Sequence, residues 1–206
     1  MQKDSALLVI DVQPDFCPGG ALAVPGDDDI VPLVNELAAR FETVVLTQDW
    51  HPADHISFAA NHPGKTPFET VEVSYGTQVL WPTHCVMSTA GAALHAGLDV
   101  PHASAIIRKG SNRAVDSYSA FLEADRTSRT GLDGYLAARG ITHVYLVGLA
   151  TDFCVAWSAL DARRFGFEAT LIEDACRAID LNGSMDAAWE NLRAAGVRRI
   201  ASASLS

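Results

Sequence analysis

The sequence predicts an α/β fold: one mostly parallel sheet of about six strands, covered by helices on both faces in a three-layer αβα arrangement. Three observations lead there. Short apolar, β-branched runs recur along the chain and are nearly continuous, the mark of strands buried on both faces rather than of a half-solvated antiparallel sheet. Helical patterns separate those runs, so strand and helix alternate. The chain has 206 residues, 49% of them hydrophobic and 19% charged, the length and apolar content of one globular domain spanning 1–206.

The first strand is ALLVIDV at 6–12. A helix follows in DIVPLVNELAARF at 29–41, with Val31, Val34, Leu37 and Ala38 on one side; Pro32 is tolerable because it falls in the first turn. TVVLTQ at 43–48 and AIIRK at 105–109 are the next two strands. Between them the stretch 49–104 holds six of the seven histidines and several Pro and Gly breaks, and connections of that length inside a compact domain are usually functional. TGLDGYLAARG at 130–140 reads as a helix from a Thr cap to a Gly stop. THVYLVG at 142–148 is the fourth strand, with a helix from about Asp152 to Phe165 after it. EATLIED at 168–174, the Ser-capped helix SMDAAWENLRAAG at 184–196 and a last strand RRIASAS at 198–204 complete the alternation.

Composition narrows the partners. There are 25 acidic against 15 basic residues, a formal charge of −10, and no Lys/Arg cluster of the kind that neutralises phosphates, which speaks against nucleic acid and anionic membrane. No apolar run approaches the roughly 18 residues that span a bilayer. Cys17, Cys85, Cys154 and Cys176 form no CxxC pair, and MQKDSALLVIDVQ lacks the basic start, apolar run and cleavage site of a signal peptide, so the expected compartment is the reducing cytoplasm. Apolar faces on the peripheral helices would permit a homo-oligomer. Gly64-Lys65-Thr66 imitates a phosphate loop, but Ala59 stands where the pattern needs Gly, and there is no GxGxxG.

In open parallel sheets ligands bind beyond the carboxyl ends of the strands. Asp11, Asp49 and Lys109 fall at such ends, and Cys154 lies at the start of the helix after the fourth strand. A thiol in the first turn of a helix meets the positive end of the macrodipole and unpaired backbone amides, which would lower its pKa; a small buried hydrophobe is the competing reading. Asp11 and Lys109 fit a structural ion pair or a catalytic pair equally. Asp49 and His51, with His84 in WPTHC, are a suitable ligand set for Zn²⁺, Fe²⁺ or Mn²⁺ with positions left open. His55 is an additional candidate, while His62, His95, His102 and His143 read as surface or structural. Phe16 and Trp81 flank these polar groups in sequence and could sandwich a flat ring, although packing is the default for any aromatic.

VIDVQPDFCPGGALAVPG, TQDWHPADHISFA, WPTHC, RKGSNRAVDSYSAF and GLATDFCVAWSALDA, in that order over about residues 6–180, resemble the nicotinamidase (pyrazinamidase) branch of the isochorismatase-like cysteine hydrolases. The resemblance implies a six-stranded parallel sheet, a catalytic triad on Asp11, Lys109 and Cys154, and one divalent metal, Zn²⁺ first, on Asp49, His51 and His84. It further implies a cis peptide at Leu149–Ala150 and an oxyanion hole from the backbone amides of Ala150 and Cys154. Pro14 departs from the Asn common at that place. The implied activity is hydrolysis of nicotinamide, and of pyrazinamide, with Phe16 and Trp81 packing on the ring. Two rivals stand beside it. A related amidohydrolase acting on a carbamoyl or ureido compound would keep the triad, and a non-catalytic α/β binding module would be expected to lose a member of it.

Overall fold

The computed structural model describes residues 3–26 and 28–205. Six strands form one parallel sheet: β1 (Ser5–Ile10), β2 (Thr43–Asp49), β5 (Ala105–Lys109), β6 (His143–Leu149), β7 (Glu168–Arg177) and β8 (Arg198–Ile200), in the spatial order β5-β2-β1-β6-β7-β8. A separate antiparallel hairpin, β3 (Thr70–Val73) with β4 (Gly76–Val79), lies in the long connection. Among the described residues four α-helices complete the fold: α1 (Val31–Ala38), α2 (Leu132–Ala138), α3 (Ala156–Arg164) and α4 (Ser184–Ala194).

The centre of the sheet is buried on both faces, as the apolar runs demand. Along β1, Leu7 and Val9 join an apolar cluster with Val34 and Leu37 of α1, while Ala6, Leu8 and Ile10 join one with Leu136 of α2, Ala159 of α3 and Leu192 of α4. Burial of each such Leu or Ile contributes about 1.5–3 kcal/mol. The edges depart from that expectation. β5 alternates, with Ile106 52% exposed, and β8 is short and largely exposed, because an edge strand has one neighbour and less cover.

Several predicted bounds contract. The first strand stops at Ile10, because Asp11 turns the chain with φ +48°. The helix expected at 29–41 runs only 31–38 behind a single 3₁₀ turn at 28–30, and the last strand gives way to a 3₁₀ turn at 202–204. Ser184 is not a cap: Gly183, at φ +83°, precedes the helix, and the Ser184 hydroxyl donates to Asp152 instead. Thr130 stands one residue before the cap position, held by Gly131, and its hydroxyl accepts the Leu132 N–H at 3.2 Å. The helix expected from Asp152 opens as a π turn at 151–155 before becoming α-helical at Ala156. Among the described residues no helix is long and apolar enough to cross a membrane.

Strand register positions the chemistry. β1 lies between β2 and β6, so the chain passes to one side of β1 early and to the other side late, and the carboxyl end of β1 is a topological switch point. Asp49 and Lys109 are paired Cα positions across β2 and β5, and Ile10 pairs with Gly148 across β1 and β6. Gly148 has φ +116°, and a Cβ there would lie 2.1 Å from the Ile10 carbonyl oxygen, so only glycine lets β6 run this close to β1.

Candidate active site

Four strand ends deliver four groups to one place. Asp11 follows β1, Asp49 closes β2, Lys109 closes β5, and β6 leads through a cis Leu149–Ala150 peptide into the turn that carries Cys154. All four are buried, Asp11 and Lys109 completely. The Lys109 ammonium lies 2.8 Å from Asp11 Oδ2, donates to Asp49 Oδ1 and to the Ser117 carbonyl at 3.0 Å, and reaches Cys154 Sγ at 3.4 Å. An ammonium has three protons and here meets four acceptors.

The shortfall falls on Asp11. Its Oδ1 accepts the Thr47 hydroxyl at 2.5 Å, and the same hydroxyl accepts the Asp11 N–H at 3.0 Å, which braces the left-handed residue from β2. Oδ2 is one of two buried side-chain oxygens among the described residues with no aligned hydrogen bond, although Lys109 is close. The unsatisfied oxygen of the cluster is therefore the one turned towards Lys109, and Asp11 presents a carboxylate oxygen within 4.8 Å of the Cys154 sulfur.

Burial opposes every charge here, and the neighbours decide which survive. For Lys109 it is outweighed by Asp11 and Asp49, which hold the ammonium well above the ordinary lysine value. For Asp49 it is outweighed by Lys109 and then His51, so this carboxylate stays well below its ordinary value. Burial wins at Asp11, which is raised despite Lys109 and with help from Asp49. Two carboxylates sharing one ammonium are thus pushed apart, with Asp11 the readier to take a proton. Cys154 corrects a sequence expectation. Its pKa is not lowered by a helix terminus: burial pushes the thiol well above its ordinary value against the pull of Lys109. The resting group is a thiol.

Asp49, His51 and His84 present ligand atoms within 4.8 Å of one another. Asp49 Oδ2 lies 3.4 Å from His51 Nε2 and 3.6 Å from His84 Nε2. The opposite ring nitrogens are tied to backbone, His51 Nδ1 to the Gly110 carbonyl at 2.9 Å and His84 Nδ1 to the Pro82 carbonyl at 2.7 Å. A carbonyl can only accept, so these bonds place the ring protons on Nδ1 and leave two Nε2 lone pairs facing a carboxylate, a donor set that fits a divalent cation. His55 stays outside this trio. Its nitrogens are engaged by Ser57 Oγ at 2.7 Å and the Val115 carbonyl at 3.2 Å, and it falls instead in an adjoining group with His51 and Asp116. The other histidines bond away from the trio, His62 to Ile56, His95 to Gly97, His102 to Ala38 and His143 to Thr170. Lys65 of the false phosphate loop pairs with Glu69 on the surface.

A cavity opens onto these groups, lined by Asp49, His84, Ala150 and Cys154 with Phe16 and Trp81 among its apolar walls. Sequence reasoning missed Leu22, Asp116, Tyr118, Phe153 and Ile179, which also line it. The Tyr118 hydroxyl accepts the Trp81 indole N–H at 3.0 Å, and the Phe153 ring stands perpendicular to Trp81 at 4.9 Å. Gln13 was missed too. Its amide oxygen accepts the Asp49 N–H at 2.8 Å and its NH₂ donates to the Asp49 carbonyl at 2.9 Å, standing in for a strand neighbour. The signal was a Gln immediately after the strand-end string VIDV.

The sequence pattern of the isochorismatase domain matches residues 5–204. The chain belongs to that family. Within the isochorismatase domain family it is 58% identical over 200 residues to the nicotinamidase of Acinetobacter baylyi, covering 97% of this chain and 94% of that one. The solved nicotinamidase of Acinetobacter baumannii superposes with a TM-score of 0.99 at 60% identity, covering all of both chains. A pyrazinamidase of Pyrococcus horikoshii, solved with zinc, matches at 0.79 and 36% identity over 96% of this chain and 99% of that one. An enzyme from L. infantum, solved with nicotinate, matches at 0.88 and 38% identity over 100% and 97%. The sheet order and the flanking helices are those of this family's fold.

Proposed function

We propose that the chain is a nicotinamidase, hydrolysing nicotinamide to nicotinate and ammonia, and pyrazinamide to pyrazinoate, for NAD salvage, with 1–206 working as one domain. The observation that carries this reading is the meeting of Asp11 Oδ2, Lys109 Nζ and Cys154 Sγ beside a cavity that Asp49 and His84 also line. The relatives named above support the substrate.

Amide hydrolysis is slow because nitrogen leaves badly and water attacks weakly, and a covalent intermediate divides the difficulty. Asp11 Oδ2 takes the thiol proton of Cys154, while Lys109 turns a donor to the sulfur and stabilises the thiolate. The thiolate attacks the carboxamide carbon, and the backbone amides of Ala150 and Cys154 receive the oxyanion. Asp11 passes its proton to the departing nitrogen, which leaves as ammonia. A water then gives a proton to Asp11 and attacks the thioester, and Asp11 returns that proton to sulfur as nicotinate departs. Thr47 donates to Oδ1, so the four proton transfers use Oδ2. Asp49 takes no proton, because Lys109 holds it ionised.

Asp49, His51 and His84 would hold the metal, Zn²⁺ first for two imidazoles and one carboxylate, with Fe²⁺ or Mn²⁺ accepted by the same set. When bound it supplies a Lewis-acidic position for a ring nitrogen. Phe16 and Trp81 orient the ring from the cavity walls. No disulfide joins any of the four cysteines, and the nucleophile must stay reduced, which favours a reducing compartment such as the cytoplasm. Ammonia release from nicotinamide, set against a panel of carbamoyl and ureido compounds, tests the reading: nicotinamide is expected to be preferred, and turnover confined to the other compounds would overturn it.

A further inference from the structure

The cavity wall at Ile179 belongs to the connection between β7 and α4, where Ile179 and Leu181 are only partly buried against the apolar cluster. Asp180 and Asn182 adopt left-handed conformations, at φ +54° and +53°, Gly183 follows at +83°, and the 3₁₀ turn 181–183 buries no residue. Such conformations persist where the surroundings over-determine them. Here one carboxylate does so. Asp152, 6% exposed, accepts the Ile179 N–H at 3.0 Å on Oδ1, and the Asp180 N–H at 2.8 Å and Ser184 hydroxyl at 2.5 Å on Oδ2.

Asp152 stands two residues before Cys154 on the same turn. We infer that it is a positioning residue which hangs the Ile179 wall from the turn carrying Cys154, and so sets how tightly the substrate ring is held beside the sulfur. This rests on the nicotinamidase reading and extends it to a residue that touches no reacting atom. The nucleophile turn has bonds of its own: the N–H groups of Phe153 and Val155 both donate to the Ala150 carbonyl at 3.1 Å, and the Ser158 hydroxyl donates to the Cys154 carbonyl at 2.6 Å. Loss of the carboxylate therefore loosens the wall more than the nucleophile, and ring binding suffers before chemistry does.

Asp152→Asn keeps the shape but turns an NH₂ group towards donors. Its KM for nicotinamide is expected to rise about 10-fold with kcat within about threefold of wild type. Ile179→Ala raises KM by removing the wall, and in that background Asp152→Asn adds no more than about twofold, because the two act through one contact. An unchanged KM in Asp152→Asn, or effects of the two changes that multiply, would overturn the inference. If Asp152→Asn does not fold, Ser184→Ala removes one of the three donors: a KM raised about twofold only when Ile179 is present supports the inference, and an unchanged KM overturns it. Absence of nicotinamide turnover by wild type would instead sink the parent reading.

Discussion

Cys154 and Cys176 are buried to the same degree, 5% and 4% exposed, in the same apolar cluster, yet they stand in different chemical regions. Cys176 pairs with Gly148 across β6 and β7, its thiol points weakly at the Leu146 carbonyl, and burial pushes it up to about 12. Cys154 is also raised well above its ordinary value, but Lys109 lies 3.4 Å from its sulfur and Asp11 presents a carboxylate oxygen within 4.8 Å of it. Burial by itself makes an inert thiol. In the reaction proposed for Cys154, reactivity would come from a proton acceptor and a cation that are buried along with it, so that the sulfur ionises only while handing its proton over.

The sharpest way to break this contrast is to remove each sulfur in turn. Cys154→Ala is expected to lower kcat by about 10⁴-fold or more, whereas Cys176→Ala retains activity and loses about 1 kcal/mol of stability; steady-state ammonia release and urea unfolding measure the two. Lys109→Met attacks the cation. It leaves Asp11 and Asp49 buried without their common partner, so a loss of about 3–5 kcal/mol in urea unfolding is expected together with loss of turnover. Chelation of the metal, or His84→Ala, spares both sulfurs and is expected to raise KM about 10–100-fold, with recovery on adding Zn²⁺ back to the chelated wild type.

The smallest effect concerns a carboxyl that has no cation. Glu123 Oε2 is the other buried side-chain oxygen without a partner among the described residues, and burial, then Asp125 and Asp116, push this carboxyl from 4.5 up to about 7. A raised carboxyl binds its proton more tightly in the folded state, so its contribution to stability falls as pH rises between those two values. Glu123→Gln is therefore expected to raise the melting temperature at about pH 8 and to change it little below about pH 4.5; equal shifts at both would contradict the assignment.

The buried centre of the fold was legible because strands covered on both faces are written as unbroken apolar runs, as in β1, β2 and β6. The hairpin 70–79 was not, since its residues are half-exposed and polar and its turn, Ser74-Tyr75, carries no Asn-Gly or Asp-Gly signal. Asp11, Asp49, Lys109 and Cys154 stood out because charges and a thiol at sheet ends are unusual there. Asp152, Tyr118 and Ile179 did not, because contacts between loops distant in sequence leave no periodic trace. The raised pKa of Cys154 was missed for a related reason: position at the start of a helix can be read from sequence, but the burial that outweighs it cannot.

The central claim is that Cys154 carries the acyl group. Rapid acid quenching of wild-type protein during turnover of nicotinamide, followed by peptide mass spectrometry, tests it most directly. The expected result is one nicotinoyl increment on the peptide holding Cys154 and none on those holding Cys17, Cys85 or Cys176. Turnover with no such adduct, together with retained activity in Cys154→Ala, would contradict it.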